Sequence, residues 1–507
     1  MLKINNTLSR QKEEFKPQAE PQVTMYTCGV TVYDDCHIGH ARSLYIFDVM
    51  RRYLKYKGYN VKFVRNITDI DDKIINRANE LKANWQELVK KYIDRYYEDL
   101  NALGIEKADF EPRATENIPD MIKYIQKLID KDFAYASGGD VYFNVRKFNE
   151  YGKLSGQKIE EMEAGTRISP TELKKDHLDF ALWKASKEGE PFWESPWGNG
   201  RPGWHIECSV MSQKFLKTDT IDIHAGGRDL VFPHHENELA QAEACTGKPF
   251  AKYWIHHGLL TINSQKMSKS LGNFITIKDV VSKYPADVLK MLYLQALYSS
   301  PVDFSWEKME EEKSPYKSFI HMLVSIDQML KGKNSYSLFS EEKNKIDEFT
   351  INFENAMDND FNTPIALSTL MQLKTYLYTL IDKHLYEHVD TLSSLQYGRE
   401  VFLKLLNIFG LHPEKTNFLD RRLISENKGL RNVLKNILLD QQGEFDENIT
   451  TIDSQNDVKW AKEKLNERNE LRKQKKYDEA DRIRKELYEK GFEILDKKDG
   501  TSELRRK

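Results

Sequence analysis

The sequence predicts an α/β protein: a doubly wound parallel sheet interrupted by a small inserted domain, then a helical bundle, then a small α+β domain. Three observations support this prediction. Short apolar strands alternate with helical patterns through the first 100 residues, and the strand pattern resumes after residue 200. From residue 279 onward, nearly every apolar position fits a helix until the last 50 residues, where a strand pattern returns.

The first strand, loop and helix begin near the N-terminus. Val23–Thr27 has the β-branched and apolar residues of a strand, and a helical pattern starts near Gly39. In Rossmann-like sheets such a unit binds nucleotide phosphates, because backbone N–H groups and the helix dipole face the anion. Cys28 lies at the end of the strand, and His37 and His40 flank Gly39, where they could donate to phosphate oxygens. A surface loop that happens to contain two histidines explains the tetrapeptide alone equally well.

The rest of the sheet is divided in two. Tyr59–Arg65 is predicted to be the second strand, and helical patterning continues to about Leu103. Between Glu106 and Gly200, turn signals and an aromatic-rich stretch indicate a smaller inserted domain. The sheet pattern resumes at Thr220–His224 and Tyr253–Thr261. Short strand–helix–strand connections predict parallel pairing.

The last 49 residues differ from the rest of the chain in charge. Residues 459–507 contain 17 Lys or Arg and 12 Asp or Glu, a local balance of +5 in a chain whose net charge is −3. Ala480, Ile483 and Leu487 lie on one helical face, Gly491 is placed to end that helix, and Phe492–Leu495 has a strand pattern. We therefore predict a small folded domain with a basic surface, although charge-dense tails are often simply solvated.

The whole-chain composition excludes several classes of protein. At 507 residues, with 40% hydrophobic and 31% charged residues, the chain is typical of a globular protein with several domains. It shows no apolar signal-peptide core and no membrane-length apolar run, so we expect a cytoplasmic protein without a membrane partner. Four cysteines in so long a chain do not make a disulfide framework.

The second half of the sheet contains the densest group of possible metal ligands. Four of the 13 histidines fall between positions 205 and 235, with Cys208 among them. His234 and Glu238 are four residues apart, so a helix would place both on one face. Cys28 could complete a tetrahedral set suited to Zn²⁺. The alternative is that the histidines form local hydrogen bonds and the cysteines pack as small hydrophobic residues, since the spacing matches no zinc finger or H-E-x-x-H helix.

A polar loop with two lysines follows the sheet. Lys266 and Lys269 lie in the pentapeptide Lys-Met-Ser-Lys-Ser, which is surrounded by Asn, Ser and Gly. Lysines on such a loop could reach a triphosphate and neutralise charge that moves onto pyrophosphate. An exposed lysine loop without a function is the alternative.

The two short motifs together resemble a known family. His37-Ile38-Gly39-His40 followed by Lys266-Met267-Ser268-Lys269-Ser270, with an insertion between them, resembles the signature pair of class I aminoacyl-tRNA synthetases. Further runs resemble the cysteinyl-tRNA synthetase family within that class: Thr27-Cys28-Gly29, Asn66-Ile67-Thr68-Asp69, Gly203-Trp204-His205-Ile206-Glu207-Cys208, Phe232-Pro233-His234-His235-Glu236-Asn237-Glu238 and Asp360-Phe361-Asn362-Thr363-Pro364. The resemblance covers most of the chain.

The resemblance implies an activity and a set of site residues. ATP and L-cysteine would give cysteinyl-adenylate, and the cysteinyl group would then pass to the 3′ end of tRNA. One zinc ion per chain would be bound by Cys28, Cys208, His234 and Glu238, and Mg²⁺ would accompany ATP. His37, His40, Lys266 and Lys269 would be catalytic and would bind ATP together with Gly39, Gly226 and Gly227. The cysteine and adenylate pocket would be lined by Gly29, Thr68, Trp204, His224 and Asp229.

The resemblance also implies how the chain is divided. We predict a monomer with the following segments: 1–106 and 201–260, the two halves of the catalytic domain; 107–200, the inserted domain; 261–315, the lysine loop and a stem-contact region; 316–425, the helical bundle; 426–507, a basic anticodon-binding domain.

Three other functions remain open from the sequence. A zinc-dependent ligase could use the same ATP chemistry to join cysteine to an amino sugar, but such relatives lack the long extension that follows Pro315 here. A non-catalytic zinc protein could bind RNA through the basic tail, but it would have no use for the histidine and lysine motifs. A zinc hydrolase with Glu236 as its general base would need a substrate site that nothing in the sequence indicates.

Overall fold

The computed structural model describes residues 1–159, 173–268, 271–331, 340–415, 464–465, 467–469, 471–472, 476–489, 492–496 and 502–506. The chain divides into two compact units, Met1–Leu430 and Arg431–Lys507.

The secondary structure of the first unit is mixed. Its strands are β1 (Lys3–Asn6), β2 (Gln11–Glu14), β3 (Gln22–Thr27), β4 (Asn60–Arg65), β5 (Ala134–Ser137), β6 (Asp140–Phe143), β7 (Phe180–Ala185), β8 (Gly200–Pro202), β9 (Ile221–Gly227), β10 (Ala251–His257), β11 (Leu260–Ile262), β12 (Gln265–Lys266) and β13 (Val302–Phe304). Its helices are α1 (Ile38–Tyr56), α2 (Asp72–Leu81), α3 (Trp85–Leu103), α4 (Ile118–Asp130), α5 (Trp204–Leu216), α6 (Glu236–Thr246), α7 (Ile277–Val281), α8 (Ala286–Leu294), α9 (Trp306–Leu330), α10 (Ser340–Asp358), α11 (Thr363–Tyr386) and α12 (Leu392–Ile408).

The central sheet has four parallel strands in the order β10-β9-β3-β4. Tyr26 in β3 pairs with Val64 in β4 and His224 in β9, and all three are buried. Both β3 and β4 are exposed at their first residue and buried over their last three, with polar residues among the apolar ones. The predicted doubly wound sheet is confirmed. The direction of strand order reverses between β3 and β9, which marks the place where such folds bind ligands.

The segment between the two halves of this sheet forms a second sheet. Strands β5, β6, β7 and β8 are antiparallel and lie in that order, with Trp183 of β7 fully buried. Helix α4 precedes them and has a strongly apolar face with Met121 and Ile125 buried. Of the aromatic-rich stretch that predicted an inserted domain, Trp183 lies in the core, Trp193 and Trp197 are partly buried, and Phe192 is exposed.

One prediction about the strands is wrong, and one hairpin was not predicted. The single strand predicted at Tyr253–Thr261 is two strands, because the chain leaves the central sheet at Gly258 and β11 pairs instead with β12 and β13. A Cβ at Gly258 would lie 2.3 Å from the Ser300 carbonyl carbon, so the crossing needs glycine. The N-terminal hairpin β1–β2, which is polar on its exposed face, was not predicted.

The predicted helices beyond residue 279 are confirmed, with one strand among them. Helices α9, α10, α11 and α12 bury a shared apolar core that includes Phe319, Phe353, Leu370 and Phe402. The prediction overlooked β13, a three-residue strand whose partner β11 is distant in sequence. None of the described helices has the length and apolar character needed to cross a membrane.

The second unit contains a helix and a hairpin. Helix α13 (Tyr477–Glu489) buries Ala480, Ile483 and Leu487, the residues predicted to share a face. Strands β14 (Phe492–Asp496) and β15 (Ser502–Arg506) pair antiparallel, so the predicted strand is confirmed. Gly491, which was predicted to end the helix, lies outside the described residues.

Candidate active site and metal centre

The predicted site residues gather at the carboxyl ends of the parallel strands. Cys28 follows β3, His224 lies in the second half of β9, and Asp229 follows β9. Helices α5 and α6 bring Cys208 and Glu238 to the same edge. Because the strand order reverses here, the fold provides a crevice at this point.

The four residues of the predicted metal set lie together. The Cys28 Sγ is 3.5 Å from His234 Nε2 and 3.3 Å from Glu238 Oε1, and the Cys208 Sγ is 3.7 Å from His234 Nε2. All four possible ligand atoms lie within 4.8 Å of one another. Cys208, His234 and Glu238 are buried, and Cys28 is half-buried. Cys28 is far from the other three residues in sequence, and the pairing of β3 with β9 brings them together.

The spacing of these atoms fits a tetrahedral zinc ion with one adjustment. Zinc–ligand bonds of 2.0–2.3 Å place tetrahedral ligands about 3.3–3.8 Å apart. The three distances that involve sulfur fall in this range. The His234 Nε2 and Glu238 Oε1 atoms are 2.7 Å apart, a hydrogen-bond distance, so they would separate slightly around an ion. Two thiolates, an imidazole and a carboxylate are donors that suit zinc.

A second set of donors shares two of these residues. Cys28, His224, His235 and Glu238 also have ligand atoms within 4.8 Å of one another. The His235 Nε2 is 3.2 Å from the Cys28 Sγ, and the His224 Nε2 is 2.7 Å from Glu238 Oε2. His224 is fully buried and stacks on Trp254 with ring centroids 4.3 Å apart. The sequence predicted only the first set. A metal role for His235 depends on how the turn before α6 orients its ring, and the sequence does not show that orientation.

Electrostatic interactions inside the cluster are strong. Burial by itself raises the pKa of the Glu238 carboxyl, but attraction from His234 and His224 holds this pKa well below its usual range. Burial lowers the pKa of His234, but the charge of Glu238 and the hydrogen bonds with Cys208 and Glu238 together outweigh this effect and raise that pKa to about 10. Burial raises the pKa of the Cys28 thiol, and hydrogen bonding with Cys208 raises it further. The cluster therefore keeps a buried carboxylate, which is the electrostatic requirement of a cation site.

Neighbouring rings fix the orientation of the two histidines that follow Pro233. The Trp204 ring stacks on His234 with centroids 4.0 Å apart, and His205 Nδ1 is 2.9 Å from His234 Nδ1. The His235 Nδ1 is 2.7 Å from His256 Nε2. Metal-binding imidazoles are commonly held through their second ring nitrogen in this way.

Asn66 connects the predicted pocket residues, although no role was predicted for it. Its buried side chain accepts hydrogen bonds from the Gly29 N–H at 2.8 Å and the Tyr26 hydroxyl at 3.0 Å, and donates to Thr68 Oγ1 at 3.2 Å. The Thr68 hydroxyl donates to Glu207 Oε2 at 2.9 Å. Both Thr68 and Glu207 are buried. A polar side chain directly after a buried strand was the signal that could have identified Asn66.

His37 caps helix α1 with its own ring. The His37 Nδ1 accepts hydrogen bonds from the N–H groups of Gly39 at 3.1 Å and His40 at 3.2 Å. The Ile38 N–H donates to the Ile275 carbonyl at 3.1 Å. The expectation that these backbone amides face a phosphate is therefore wrong, because all three are already hydrogen-bonded.

The two imidazoles at the helix start are neutral donors. The rings of His37 and His40 stack with centroids 3.6 Å apart, and His40 Nδ1 accepts a hydrogen bond from the His37 N–H at 3.3 Å. Since each Nδ1 is an acceptor, the ring proton is assigned to Nε2. Burial lowers the pKa of His37 to about 4 and that of His40 well below its usual value. A phosphate at this place would meet two Nε2–H groups.

The lysine-bearing segment packs against the same helix start. A Cβ at Gly39 would lie 2.9 Å from the His37 ring and 3.4 Å from the Met267 methyl carbon, so glycine lets these groups close over the backbone. Lys266 is exposed on β12. Lys269, the second predicted catalytic lysine, lies outside the described residues.

The glycines predicted to bind ATP end strand β9. Gly226 packs against the ring of His235, and Gly227 packs against the carboxylate of Asp229. Asp229 is exposed, and its charge opposes the burial effect on the pKa of His37. Asp229 and the helix start therefore lie in the same part of the crevice.

Comparison with known proteins gives a consistent result over the whole chain. Residues 14–314 match the family model for the tRNA synthetases class I (C) catalytic domain, and residues 352–412 match the DALR domain. The chain is 48% identical over 510 residues to a cysteine--tRNA ligase of Sulfurihydrogenibium sp., covering 99% of both chains. It is also 48% identical to the cysteine--tRNA ligase of Aquifex aeolicus, covering 99% of this chain and 98% of the relative.

Solved structures with the same fold are more distant in sequence. A Mycobacterium tuberculosis methionyl-tRNA synthetase in complex with methionyl-adenylate has a TM-score of 0.59 at 13% identity, covering 82% of this chain and 93% of that one. An Agrobacterium radiobacter LeuRS in a ternary complex with tRNA and LeuAMS has a TM-score of 0.59 at 10% identity, covering 79% of this chain and 85% of that one.

Proposed function

The chain belongs to the cysteine--tRNA ligase family, and from this premise we propose that Cys28, Cys208, His234 and Glu238 hold a zinc ion that selects the substrate cysteine. The enzyme is an aminoacyl-tRNA synthetase whose substrates are L-cysteine, ATP and tRNA. The observation that supports the zinc proposal is the buried cluster of two sulfurs, an imidazole and a carboxylate within 4.8 Å.

Selection of cysteine over serine needs more than the shape of a pocket. The two amino acids differ by one atom, and pockets that rely on fit distinguish near-isosteres by only about 10–200-fold. A bound zinc ion would prefer a thiolate to a hydroxyl and lower the thiol pKa. Cys28 is half-buried whereas the other three residues are buried, so the substrate side chain would approach the cluster from the side of Cys28.

The two possible ligand sets are distinguished by metal analysis of matched variants. In the proposed set, Cys208→Ser should lose most of its zinc after dialysis, while His235→Asn should keep close to one ion per chain. Cys208 belongs only to the first set and His235 only to the second. The opposite pattern would assign the metal to Cys28, His224, His235 and Glu238.

A third variant serves as the control for thiol loss. Cys36 is buried outside both sets, so Cys36→Ser should keep the zinc content of the parent. Full zinc occupancy in both Cys208→Ser and His235→Asn would contradict both assignments.

In the proposed adenylation step, the substrate carboxylate oxygen attacks the α-phosphorus of ATP and pyrophosphate leaves. The Nε2–H groups of His37 and His40 would donate to the non-bridging α-phosphate oxygens. Lys266 and Lys269 would offset the charge that develops on pyrophosphate, which Mg²⁺ accompanies. No side chain acts as a nucleophile, so the rate enhancement comes from positioning and charge stabilisation.

In the proposed transfer step, a hydroxyl of the terminal ribose attacks the carbonyl of the adenylate and AMP leaves. Gly29, Thr68, Trp204, His224 and Asp229 would line the cysteine and adenylate pocket, with Gly39, Gly226 and Gly227 beside the nucleotide. Asn66 would keep Gly29 and Thr68 at a fixed separation, because it bonds to both.

The remaining predictions about organisation belong to this proposal. We place the enzyme in the cytoplasm as a monomer, with the inserted domain at 107–200, the helical bundle at 316–425 and the anticodon-binding domain at 426–507. An amino-sugar ligase is disfavoured by the DALR match at 352–412 and by relatives that match over the full length. A non-catalytic RNA-binding protein and a zinc hydrolase do not fit the family to which the chain belongs.

A further inference from the structure

Arg42 is a fully buried cation on α1 that the function proposed above does not use. Its Nη1 donates to the Gly258 carbonyl at 2.7 Å and to the Leu259 carbonyl at 2.8 Å. Its Nη2 donates to the Tyr298 carbonyl at 3.2 Å and to the Ser300 carbonyl. Burying a charge is costly unless hydrogen bonds compensate it, so these four backbone carbonyls are what keeps the guanidinium inside the protein.

The four carbonyls belong to two segments that meet at Gly258. A Cβ at Gly258 would lie 2.3 Å from the Ser300 carbonyl carbon and oxygen, so glycine allows the segments to approach each other. One segment follows β10 and binds Nη1, and the other precedes β13 and binds Nη2. A guanidinium is a planar fork of donors, whereas a lysine ammonium is a single point. Arginine is therefore suited to hold both segments at once.

Both segments lead directly into the small sheet that carries Lys266. The first continues into β11, where Thr261 pairs with Lys266 of β12. The second continues into β13, where Asp303 pairs with Thr261 and accepts a hydrogen bond from its hydroxyl at 2.7 Å. The place of Lys266 therefore depends on the carbonyls that Arg42 binds.

The helix that carries Arg42 begins at His37. Arg42 is five residues further on, or about 7.5 Å along the helix axis, and the helix keeps this separation fixed. The chain that follows the lysine pentapeptide is held at the same helix start, because the Ile277 N–H donates to the Cys36 carbonyl at 3.0 Å. Helix α1 thus contacts the chain on both sides of Lys266. The contact before Lys266 is made by a side chain, which a substitution can remove.

We propose that Arg42 is a positioning residue for adenylation, which sets the distance between Lys266 and the imidazoles of His37 and His40. In the proposed step, these groups stabilise charge on the two sides of the bond that breaks, so the contribution of each depends on their separation. A misplacement of about 1 Å can slow an enzyme by about 10²-fold. The inference rests on the proposed roles of Lys266 and the two histidines.

The test measures cysteine-dependent pyrophosphate exchange in the full-length enzyme. Arg42→Lys keeps the charge, but one nitrogen cannot serve both segments, so the kcat of exchange should fall by at least tenfold. The KM for cysteine should stay within twofold of the parent, and the zinc content should be that of the parent, because the four carbonyl partners lie outside the proposed cysteine pocket.

A double-mutant cycle distinguishes positioning from a general structural effect. Lys266→Ala removes the group that Arg42 is proposed to place, so in that background Arg42→Lys should slow exchange by less than a further twofold. Arg51 is the matched control, since it is also buried on α1 and donates to the Lys107 carbonyl at 2.7 Å and to Asp109 at 2.7 Å. Arg51→Lys should change the kcat by the same factor with and without Lys266.

Gly258→Ala displaces the same segments without changing a charge. Its Cβ would push against the Ser300 backbone, so this variant should show the same fall in kcat and the same dependence on Lys266. If only one of Arg42→Lys and Gly258→Ala folds, that variant decides the question.

Three results would overturn the proposal. They are an unchanged kcat in Arg42→Lys, an equal effect of Arg42→Lys with and without Lys266, and a failure of both Arg42→Lys and Gly258→Ala to fold, which would make this contact purely structural. A failure of the proposed function is separate, because Lys266→Ala by itself would then exchange pyrophosphate at the parental rate.

Discussion

Neutral buried histidines surround the catalytic edge. Burial is the largest cause of the lowered pKa of His37 and of His257, each about 4. A neutral imidazole has one donor and one acceptor nitrogen. Each ring can therefore form a hydrogen bond to the protein backbone through one nitrogen and to a ligand through the other. The same neutrality makes the fold sensitive to acid, because an unfolded histidine takes up a proton at higher pH.

His257→Gln should reduce this sensitivity. Burial lowers the pKa of His257 to about 4, against roughly 6.5 in the unfolded chain, so the unfolded state binds more protons between pH 6.5 and 4. The stability of the parent therefore falls as pH decreases through this window, by about 2 kcal/mol at pH 5 for this group. Calorimetric melting temperatures at pH 7.5 and 5.0 should differ less in the variant than in the parent.

An exposed histidine provides the control for this pH effect. His388 is exposed, so His388→Asn should show the same difference in melting temperature as the parent. Equal differences for His257→Gln and the parent would mean that His257 is not kept neutral by burial.

At the scale of a secondary-structure element, the start of α1 combines two tasks in one side chain. The Nδ1 of His37 caps the helix by accepting from Gly39 and His40, which leaves Nε2 for a substrate. A substitution that keeps the helix cap but removes the Nε2–H donor therefore tests capping and substrate binding separately.

His37→Asn should keep the helix and lose catalysis. Asparagine is a good N-cap, so the melting temperature should stay near that of the parent, whereas adenylate formation should slow by about 10²–10³-fold. His37→Ala should be equally slow and also less stable by about 1 kcal/mol. Pyrophosphate exchange and thermal unfolding measure the two effects. Exchange near the parental rate in His37→Asn would exclude the proposed role of Nε2.

A buried ion pair joins helix α8 to the end of the helical bundle. The Lys290 Nζ donates to Asp287 Oδ1 at 3.0 Å and to the Gly410 carbonyl at 2.7 Å. The Asp287 Oδ2 accepts from the His412 N–H at 2.8 Å. The contact ties the segment after the lysine loop to the residues that follow α12.

Lys290→Met should destabilise the fold by about 3–5 kcal/mol, because it leaves the Asp287 carboxylate buried without its counter-charge. Lys290→Met/Asp287→Asn should recover part of this loss, since asparagine removes the charge and keeps an acceptor for His412. Thermal unfolding of the two variants makes the comparison. A double variant no more stable than the single one would show that the charge of Asp287 is not the cause.

At the scale of the whole molecule, the basic tail lies within a separate compact unit, Arg431–Lys507. Residues after 430 form their own cluster of contacts, with a helix, a hairpin and a buried apolar face in the described part. In the proposed anticodon-binding role, the local charge of +5 over residues 459–507 would give general affinity for RNA, while sequence choice would come from unpaired bases. The anticodon loop offers such bases at a distance from the site of chemistry.

A chain that stops near Leu423 should therefore still make cysteinyl-adenylate at close to the parental rate. It should charge tRNA poorly and discriminate less between anticodons. Pyrophosphate exchange and aminoacylation of tRNA transcripts with altered anticodons measure the two properties. Full charging by the truncated enzyme would contradict an anticodon-binding role, and loss of adenylate formation in a folded truncated enzyme would make the tail part of the catalytic core.

The sequence by itself determined the elements and the family. The strand patterns at β3, β4 and β9 predicted a parallel sheet. In the tail, the sequence predicted the helix and the strand at Phe492–Leu495, but not the second strand of the hairpin. The metal set came from the resemblance of four residues to a family. These features depend on local patterns or on short motifs, and both can be recognised from residues that are close together in the sequence.

Only the tertiary structure decided which groups meet. His235 lies 3.2 Å from Cys28 although 207 positions separate them, and this contact creates a second possible ligand set. The His37 ring accepts hydrogen bonds from the Gly39 and His40 amides, which were expected to face a phosphate. The chain leaves the central sheet at Gly258 because the Ser300 backbone lies against it. Contacts between residues so far apart depend on how whole elements pack, and no local pattern encodes them.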